Sequence, residues 1–216
     1  MKKIIIYCLI TFASFSSFAQ NEKYVSAMKK NIAQLDSAFA KPDLFLSLAN
    51  TFERIGTAEK SEWLPYYYAA YCRVNHAFMQ KDQSANDAIA DKATELINKA
   101  DSLQPNNSEI SCIKSMVASV QMMVNPQQRF MQYGPVSQKA MAMAMQQDPS
   151  NPRPYMLKGQ GLKYTPEQFG GGCKKAVVEL TIAQDKFITF KPASDISPNW
   201  GKSYTEMMLK ECRQTK

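Results

Sequence analysis

A spacing of 44 residues constrains this chain more than any other feature of its sequence. In two copies, a small residue is followed by a bulky one after four positions, a second small one after three more, and proline after a further five. The first copy is Ala93, Ile97, Ala100 and Pro105, and the second is Ser137, Met141, Ala144 and Pro149. A third copy, Ala176, Leu180 and Ala183, has Ile188 at the proline position. This pattern predicts stacked helical hairpins that pack closely at the small residues and end at proline.

The rest of the chain agrees with an all-α fold, because apolar residues recur at helical spacing and alternating strand patterns are almost absent. One helix is predicted on Tyr24–Phe39, ending at Pro42, and a second on Leu44–Ile55, ending at Gly56. Further helices are predicted over residues 62–80, 85–103, 108–123, 127–147, 153–164, 173–190 and 199–213.

The first helices of two hairpins also align with each other. Pro65–Ala70 reads PYYYAA and Pro154–Gly159 reads PYMLKG, in both cases proline, an aromatic residue, bulky positions and a small residue. With the small–bulky–small triplet, residues 62–190 resemble the tetratricopeptide repeat (TPR) family. The resemblance implies a right-handed α-solenoid of three to four hairpins, capped by the helix over 199–213, in a single domain over 20–216.

The copies are longer than the usual repeat of this family, and the extra residues fall at 80–86, 122–134 and 164–172. They place long loops along one edge of the stack. The loop PEQFGGG, followed by a helix beginning with KKA after Cys173, resembles the repeat proteins associated with periplasmic tripartite (TRAP) transporters.

The N-terminus reads as a secretory signal. Two lysines precede an apolar run from Ile4 to Phe15, and Ser17 and Ala19 are small where signal peptidase requires it. The apolar run is shorter than the roughly 20 residues of a membrane-spanning helix. We therefore expect cleavage after Ala19 and a periplasmic or secreted protein with no stable membrane span.

Composition removes several classes of function. Lysine and arginine outnumber the acids, 26 to 19, but they are scattered in ones and twos, which argues against nucleic acid. The chain has a single histidine and neither HExxH nor CxxC, so the sequence predicts no catalytic site, metal or cofactor. Cys72 with His76, and the alternating Met141, Met143 and Met145, are interpreted as packing residues.

Two further features carry predictions. Gly170–Gly172 precedes a helix and is interpreted as a tight, positive-φ entry, with an anion site as the alternative. An antiparallel pairing of the last two helices would bring Cys173 beside Cys212, which predicts a disulfide. A second bond, Cys72 to Cys112, is also predicted, and the alternative for each cysteine is a buried thiol.

A binding face is predicted on the inner surface of the stack, where aromatic, methionine, arginine and amide groups meet. The alternative is that these groups are ordinary packing, or that the chain's own helices fill the face. The residues of this face are Tyr67, Tyr71, Glu109, Met116, Arg153, Met156, Gln160 and Lys163.

The resemblance therefore implies an exported, noncatalytic scaffold that binds a protein or peptide in the cell envelope. The alternative is a periplasmic small-molecule-binding protein whose pocket is formed by the stack and its long loops.

Overall fold

The computed structural model of the chain describes residues 22–214, and the predicted signal segment lies outside them. The elements are α1 (22–32), α2 (Leu35–Ala38), α3 (Asp43–Glu59), α4 (Trp63–Met79), α5 (Asn86–Leu103), α6 (Ser108–Met123), α7 (Pro126–Gln147), α8 (Arg153–Tyr164), a 3₁₀ turn (Glu167–Phe169), α9 (Cys173–Thr189) and α10 (Lys202–Gln214). The described residues contain no strand. The predicted all-α, solenoid-like fold is confirmed.

Successive helices pack against each other from α2 to α10, and a second set of contacts joins α4 to α6, α6 to α8 and α8 to α10. These four helices form a layer of their own, which we call the inner layer. α4, α6 and α8 correspond to the first helices of the predicted hairpins and α10 to the predicted capping helix, so the residues predicted to form a binding face all lie on this layer.

Small residues permit the close packing that the repeat predicts. A Cβ added at Gly159 of α8 would lie 2.6 Å from Cγ of Leu180 in α9. Ala93, Ala144, Ala176 and Ala183, at the small positions of the repeat, are fully buried. Any larger side chain at these positions would push the paired helices apart.

Two predicted boundaries near the N-terminus are wrong. The first predicted helix is divided into α1 and α2, because the amide of Gln34 donates to the carbonyl of Asn31 in a tighter turn. The second predicted helix continues past Gly56 to Glu59. Gly56 lies inside α3, where the absence of a side chain leaves room for the ring of Tyr66, 2.9 Å from where a Cβ would lie.

The segment between α9 and α10, residues 190–201, has no regular secondary structure and crosses the inner layer; we call it the strap. The hydroxyl of Tyr68 in α4 donates to the carbonyl of Ile196 at 3.0 Å, and Lys29 in α1 pairs with Asp195 at 2.5 Å. The predicted start of the capping helix at residue 199 is therefore wrong, because Trp200 belongs to the strap and α10 begins at Lys202.

Candidate ligand-binding surface

At one end of the inner layer, where α4, α6 and α8 begin, the side chains are arranged around Arg153, which is fully buried. We call this the N-terminal end of the layer. Nη1 of Arg153 donates to Oε1 of Glu109 at 2.8 Å and its Nη2 donates to the carbonyl of Pro198 in the strap at 2.7 Å. The rings of Phe190 and Trp200 lie 4.7 and 5.1 Å from the guanidinium carbon. A buried arginine is stable only when it is paired and hydrogen-bonded in this way, so Arg153 ties α6, α8 and the strap together.

Glu109 is the acidic partner at this end and is almost enclosed. Its carboxylate accepts hydrogen bonds from the hydroxyl of Tyr67 at 3.3 Å and from Nδ2 of Asn151 at 2.9 Å, in addition to Arg153. Burial raises the pKa of Glu109 and outweighs the opposing effect of the Arg153 charge.

The strap covers the tyrosines of α4. Nε1 of Trp200 donates to the hydroxyl of Tyr67 at 2.7 Å, and the Trp200 ring lies 4.9 Å from the ring of Tyr71. Six of the eight residues predicted to form the binding face are buried or almost enclosed: Tyr67, Tyr71, Glu109, Met116, Arg153 and Met156. All but Glu109, which keeps 14% of its side-chain exposure, are buried, so the structure has no open groove at this end.

The other two predicted residues, Gln160 and Lys163, lie near the C-terminal end of α8, where the strap does not reach. Nε2 of Gln160 donates to the hydroxyl of Tyr204 at 3.3 Å, and Nζ of Lys163 lies 2.8 Å from Oε2 of Glu211. Tyr204 and Glu211 both belong to α10. The structure therefore brings two predicted residues together with groups that the sequence analysis did not select.

Tyr164 completes this surface and is its most exposed aromatic group. Its hydroxyl lies 3.4 Å from that of Tyr204, and 62% of the residue is accessible to solvent. Met207, one helical turn beyond Tyr204, is also exposed, and Glu211 follows it by one further turn. We call this surface the α8–α10 edge: Gln160, Lys163, Tyr164, Tyr204, Met207 and Glu211.

The phenol of Tyr204 remains protonated at neutral pH. Burial raises the pKa of Tyr204, and the hydrogen bond with Tyr164 and the proximity of that residue raise it further. The edge therefore offers hydroxyl groups, a thioether and an exposed ring, beside one ion pair.

A disulfide fixes α10 in place. Cys173 at the start of α9 is bonded to Cys212 near the end of α10, with 4.9 Å between the Cα atoms, which confirms this predicted pairing. The predicted bond between Cys72 and Cys112 is wrong. Both are free thiols, and each is fully buried in the protein core as a small apolar side chain.

The loop before α9 matches the tight entry predicted for it. Gly170 and Gly172 have positive φ, and a Cβ at Gly171 would lie 2.0 Å from the carbonyl oxygen of Thr165. The amide of Gly172 donates to the carbonyls of Leu162 and Thr165, while Nζ of Lys175 donates to the carbonyl of Gly170. The chain itself thus uses the backbone amides that the alternative interpretation assigned to an anion.

The described residues include neither a free histidine nor a cluster of metal-ligating side chains. Nδ1 of His76 lies 3.1 Å from the carbonyl of Pro42 and Nε2 lies 2.9 Å from Nε2 of Gln80, so the lone histidine is buried and occupied. Between residues 22 and 214, no three His, Cys, Asp or Glu side chains are arranged to hold a metal ion. None of the helices described is long and apolar enough to cross a bilayer.

Comparisons with known proteins add one relative. No family model matches the chain, and no curated protein matches it. Among solved structures, the HusA haemophore from Porphyromonas gingivalis superposes with a TM-score of 0.80 and is 37% identical in sequence. The match covers 89% of this chain and 94% of the haemophore. Identity at this level over nearly the whole of both chains shows common descent, and the chain belongs to the family of the HusA haemophore.

Proposed function

We propose that this protein is an exported haem-binding protein that carries haem on the α8–α10 edge. The observation that carries the proposal is the 37% identity with a haemophore over 94% of that chain. The predicted signal segment supports export, because its charged, apolar and small-residue regions occur in the required order.

The edge has the chemistry that a flat macrocycle requires. Tyr164 presents a largely exposed ring and Met207 an exposed thioether, and Phe169, on the loop that follows α8, is 69% exposed. Aromatic rings bind planar ligands by offset stacking, and methionine adapts to irregular apolar surfaces. Exposed apolar groups beside hydroxyl and amide groups are typical of a surface that binds a partly apolar ligand.

The geometry favours the small-molecule alternative over the peptide scaffold that the TPR resemblance implies. A scaffold of that kind holds an extended peptide along its inner face. Here Trp200 and Pro198 of the strap occupy the N-terminal half of that face and bond to Tyr67 and Arg153. A peptide would have to displace the strap, whereas a small ligand at the α8–α10 edge would displace nothing.

The test is a titration of the purified protein with haemin, followed by absorbance of the Soret band. The site variant is Tyr164→Ala with Met207→Ala, and the control is Phe130→Ala with Met131→Ala, which removes an exposed ring and thioether from α7. We expect the site variant to lose about tenfold or more in affinity, equivalent to about 1.4 kcal/mol, and the control to bind like the wild type.

Each other outcome has a definite meaning. If the wild type does not bind haemin, the proposed function is wrong. If the control loses affinity and the site variant does not, the protein binds haem but the site lies on α7, and the assignment of the α8–α10 edge fails.

A further inference from the structure

Lys163 occupies an unusual position within the α8–α10 edge. Its Nζ lies 2.8 Å from Oε2 of Glu211 and 4.3 Å from the centroid of the Tyr164 ring. Only 13% of its side chain is exposed, although it lies beside the most exposed aromatic group of the edge. The ammonium group is therefore held between a carboxylate and an aromatic face.

This arrangement leaves one face of Tyr164 for a ligand. Lys163 covers one face of the ring, and Tyr204 holds the hydroxyl at 3.4 Å. Since 62% of Tyr164 is still accessible, the exposure belongs mainly to the face opposite Lys163. A ring fixed on one side and at its tip loses less conformational entropy when a ligand stacks on the other side.

The charge of Lys163 also acts on the ring electronically. A cation over an aromatic face attracts the π electrons, which leaves the opposite face less negative. A less negative face stacks better against the electron-rich surface of a large conjugated macrocycle. The hydrogen bond to Glu211 raises the pKa of Lys163, so the ammonium stays charged throughout the neutral range.

Glu211 already neutralises the ammonium group of Lys163. A second carboxylate, from a ligand, would have to compete with a contact of 2.8 Å at a side chain that is nearly enclosed. Direct pairing with the ligand's carboxylates is therefore the less favourable role for this lysine.

Resting on the proposed function, we infer that Lys163 is a positioning residue for the haem site: it orients and polarises the Tyr164 ring, which stacks on the macrocycle, and it does not pair with the propionates. Glu211 holds Lys163 in place for this purpose. The ligand class is thus defined by its flat conjugated face and not by its carboxylates.

Two ligands distinguish these roles: haemin, and haemin dimethyl ester, in which the propionates are uncharged. Both are titrated against wild type, Lys163→Met, Lys163→Arg and Tyr164→Ala. The matched control is Lys158→Met, which removes another lysine of α8, one that pairs with Glu179 at 2.7 Å. Circular dichroism and thermal unfolding show whether each variant is folded.

We expect Lys163→Met to weaken binding of haemin and of the ester by the same factor, about three- to tenfold. Lys163→Arg should restore most of the affinity, since a guanidinium can also stack on the ring. In a Tyr164→Ala background, Lys163→Met should cause no further loss, because its effect passes through the ring. Lys158→Met should bind both ligands like the wild type.

A loss with haemin but not with the ester would assign Lys163 to the propionates and overturn the inference. So would unchanged affinity in Lys163→Met when Tyr164→Ala is impaired. Absence of haemin binding by the wild type would instead disprove the proposed function and this inference with it, so the two failures are distinguishable.

Discussion

Helix α8 carries a cation against aromatic rings at each of its ends, and the two ends differ in what covers the rings. At the N-terminal end, Arg153 is fully buried, and the rings of Phe190 and Trp200 that lie against it belong to the chain's own strap. At the other end, Lys163 lies behind a ring that is 62% exposed. The same type of contact thus serves stability where the strap closes the layer, and we propose that it serves binding where the strap does not reach.

The largest loss of stability should follow from replacing Arg153 at the closed end of α8, the N-terminal end that the strap covers. Arg153→Met removes the partner of Glu109, whose carboxylate would stay buried without its charge pair, and it also frees the carbonyl of Pro198. We expect the free energy of unfolding to fall by about 3–5 kcal/mol, as for other broken buried pairs. Urea denaturation followed by circular dichroism measures it.

At the open end of α8, the C-terminal end that the strap does not reach, we expect a smaller loss of stability. Lys163→Met, the corresponding change at the exposed ring, should lower the free energy of unfolding by less than about 1 kcal/mol. Equal losses in the two variants would show that the two ends do not differ in the way the strap implies.

The next effect concerns the disulfide, which links the elements that form the open edge. Replacing Cys173 and Cys212 by serine removes a bond across 39 residues that contain α9, the strap and α10. We expect a loss of about 2–4 kcal/mol, because the unfolded chain gains freedom. Wild-type protein treated with a reductant should unfold at the same denaturant concentration as the double variant, since Cys72 and Cys112 are unbonded.

A smaller effect, with a defined sign, comes from Glu109. Burial raises the pKa of this carboxyl in the folded state, so the folded protein binds more protons than the unfolded chain above the ordinary pKa of glutamate. The free energy of unfolding should therefore fall as the pH rises through that window. Glu109→Gln, which cannot ionise, should lack this component of the pH dependence.

The measurement is the difference in the free energy of unfolding between wild type and Glu109→Gln over a series of pH values. The contributions of the other carboxyl groups cancel in this difference. A difference that does not vary with pH would show that Glu109 has the same pKa in both states.

The sequence could predict contacts that depend on helix periodicity. Close packing of paired helices at their small residues was predicted, and Gly159 does lie against Leu180; the antiparallel order of α9 and α10 correctly predicted the Cys173–Cys212 bond. Both follow from local helix geometry and short connections.

The strap could not be predicted in this way. Trp200 lies 133 residues from its partner Tyr67, and periodicity carries no information about where an irregular segment packs. The prediction of an inner binding face therefore assigned Tyr67 and Arg153 to a groove that the strap fills.

One signal for the open edge was present in the sequence. The spacing of 44 residues relates equivalent positions of neighbouring hairpins, and it also separates Glu109 from Arg153 and Gln160 from Tyr204, which are hydrogen-bonded pairs. Applied to Gln160, it would have selected Tyr204. The spacing does not select Tyr164, whose hydroxyl contacts Tyr204 at a separation of 40 residues.

The smallest effect on stability should come from the exposed ring of the open edge. Tyr164→Ala removes a side chain that is mostly in solvent, whose hydroxyl contact with Tyr204 is long at 3.4 Å. We expect the free energy of unfolding to change by less than about 0.5 kcal/mol, as for most surface substitutions, while haemin affinity falls. Chemical denaturation of wild type and variant, each without ligand, measures the first quantity. A large loss of stability without ligand would mean that the ring is a packing residue like Trp200, and the distinction between the closed and open ends of α8 would fail.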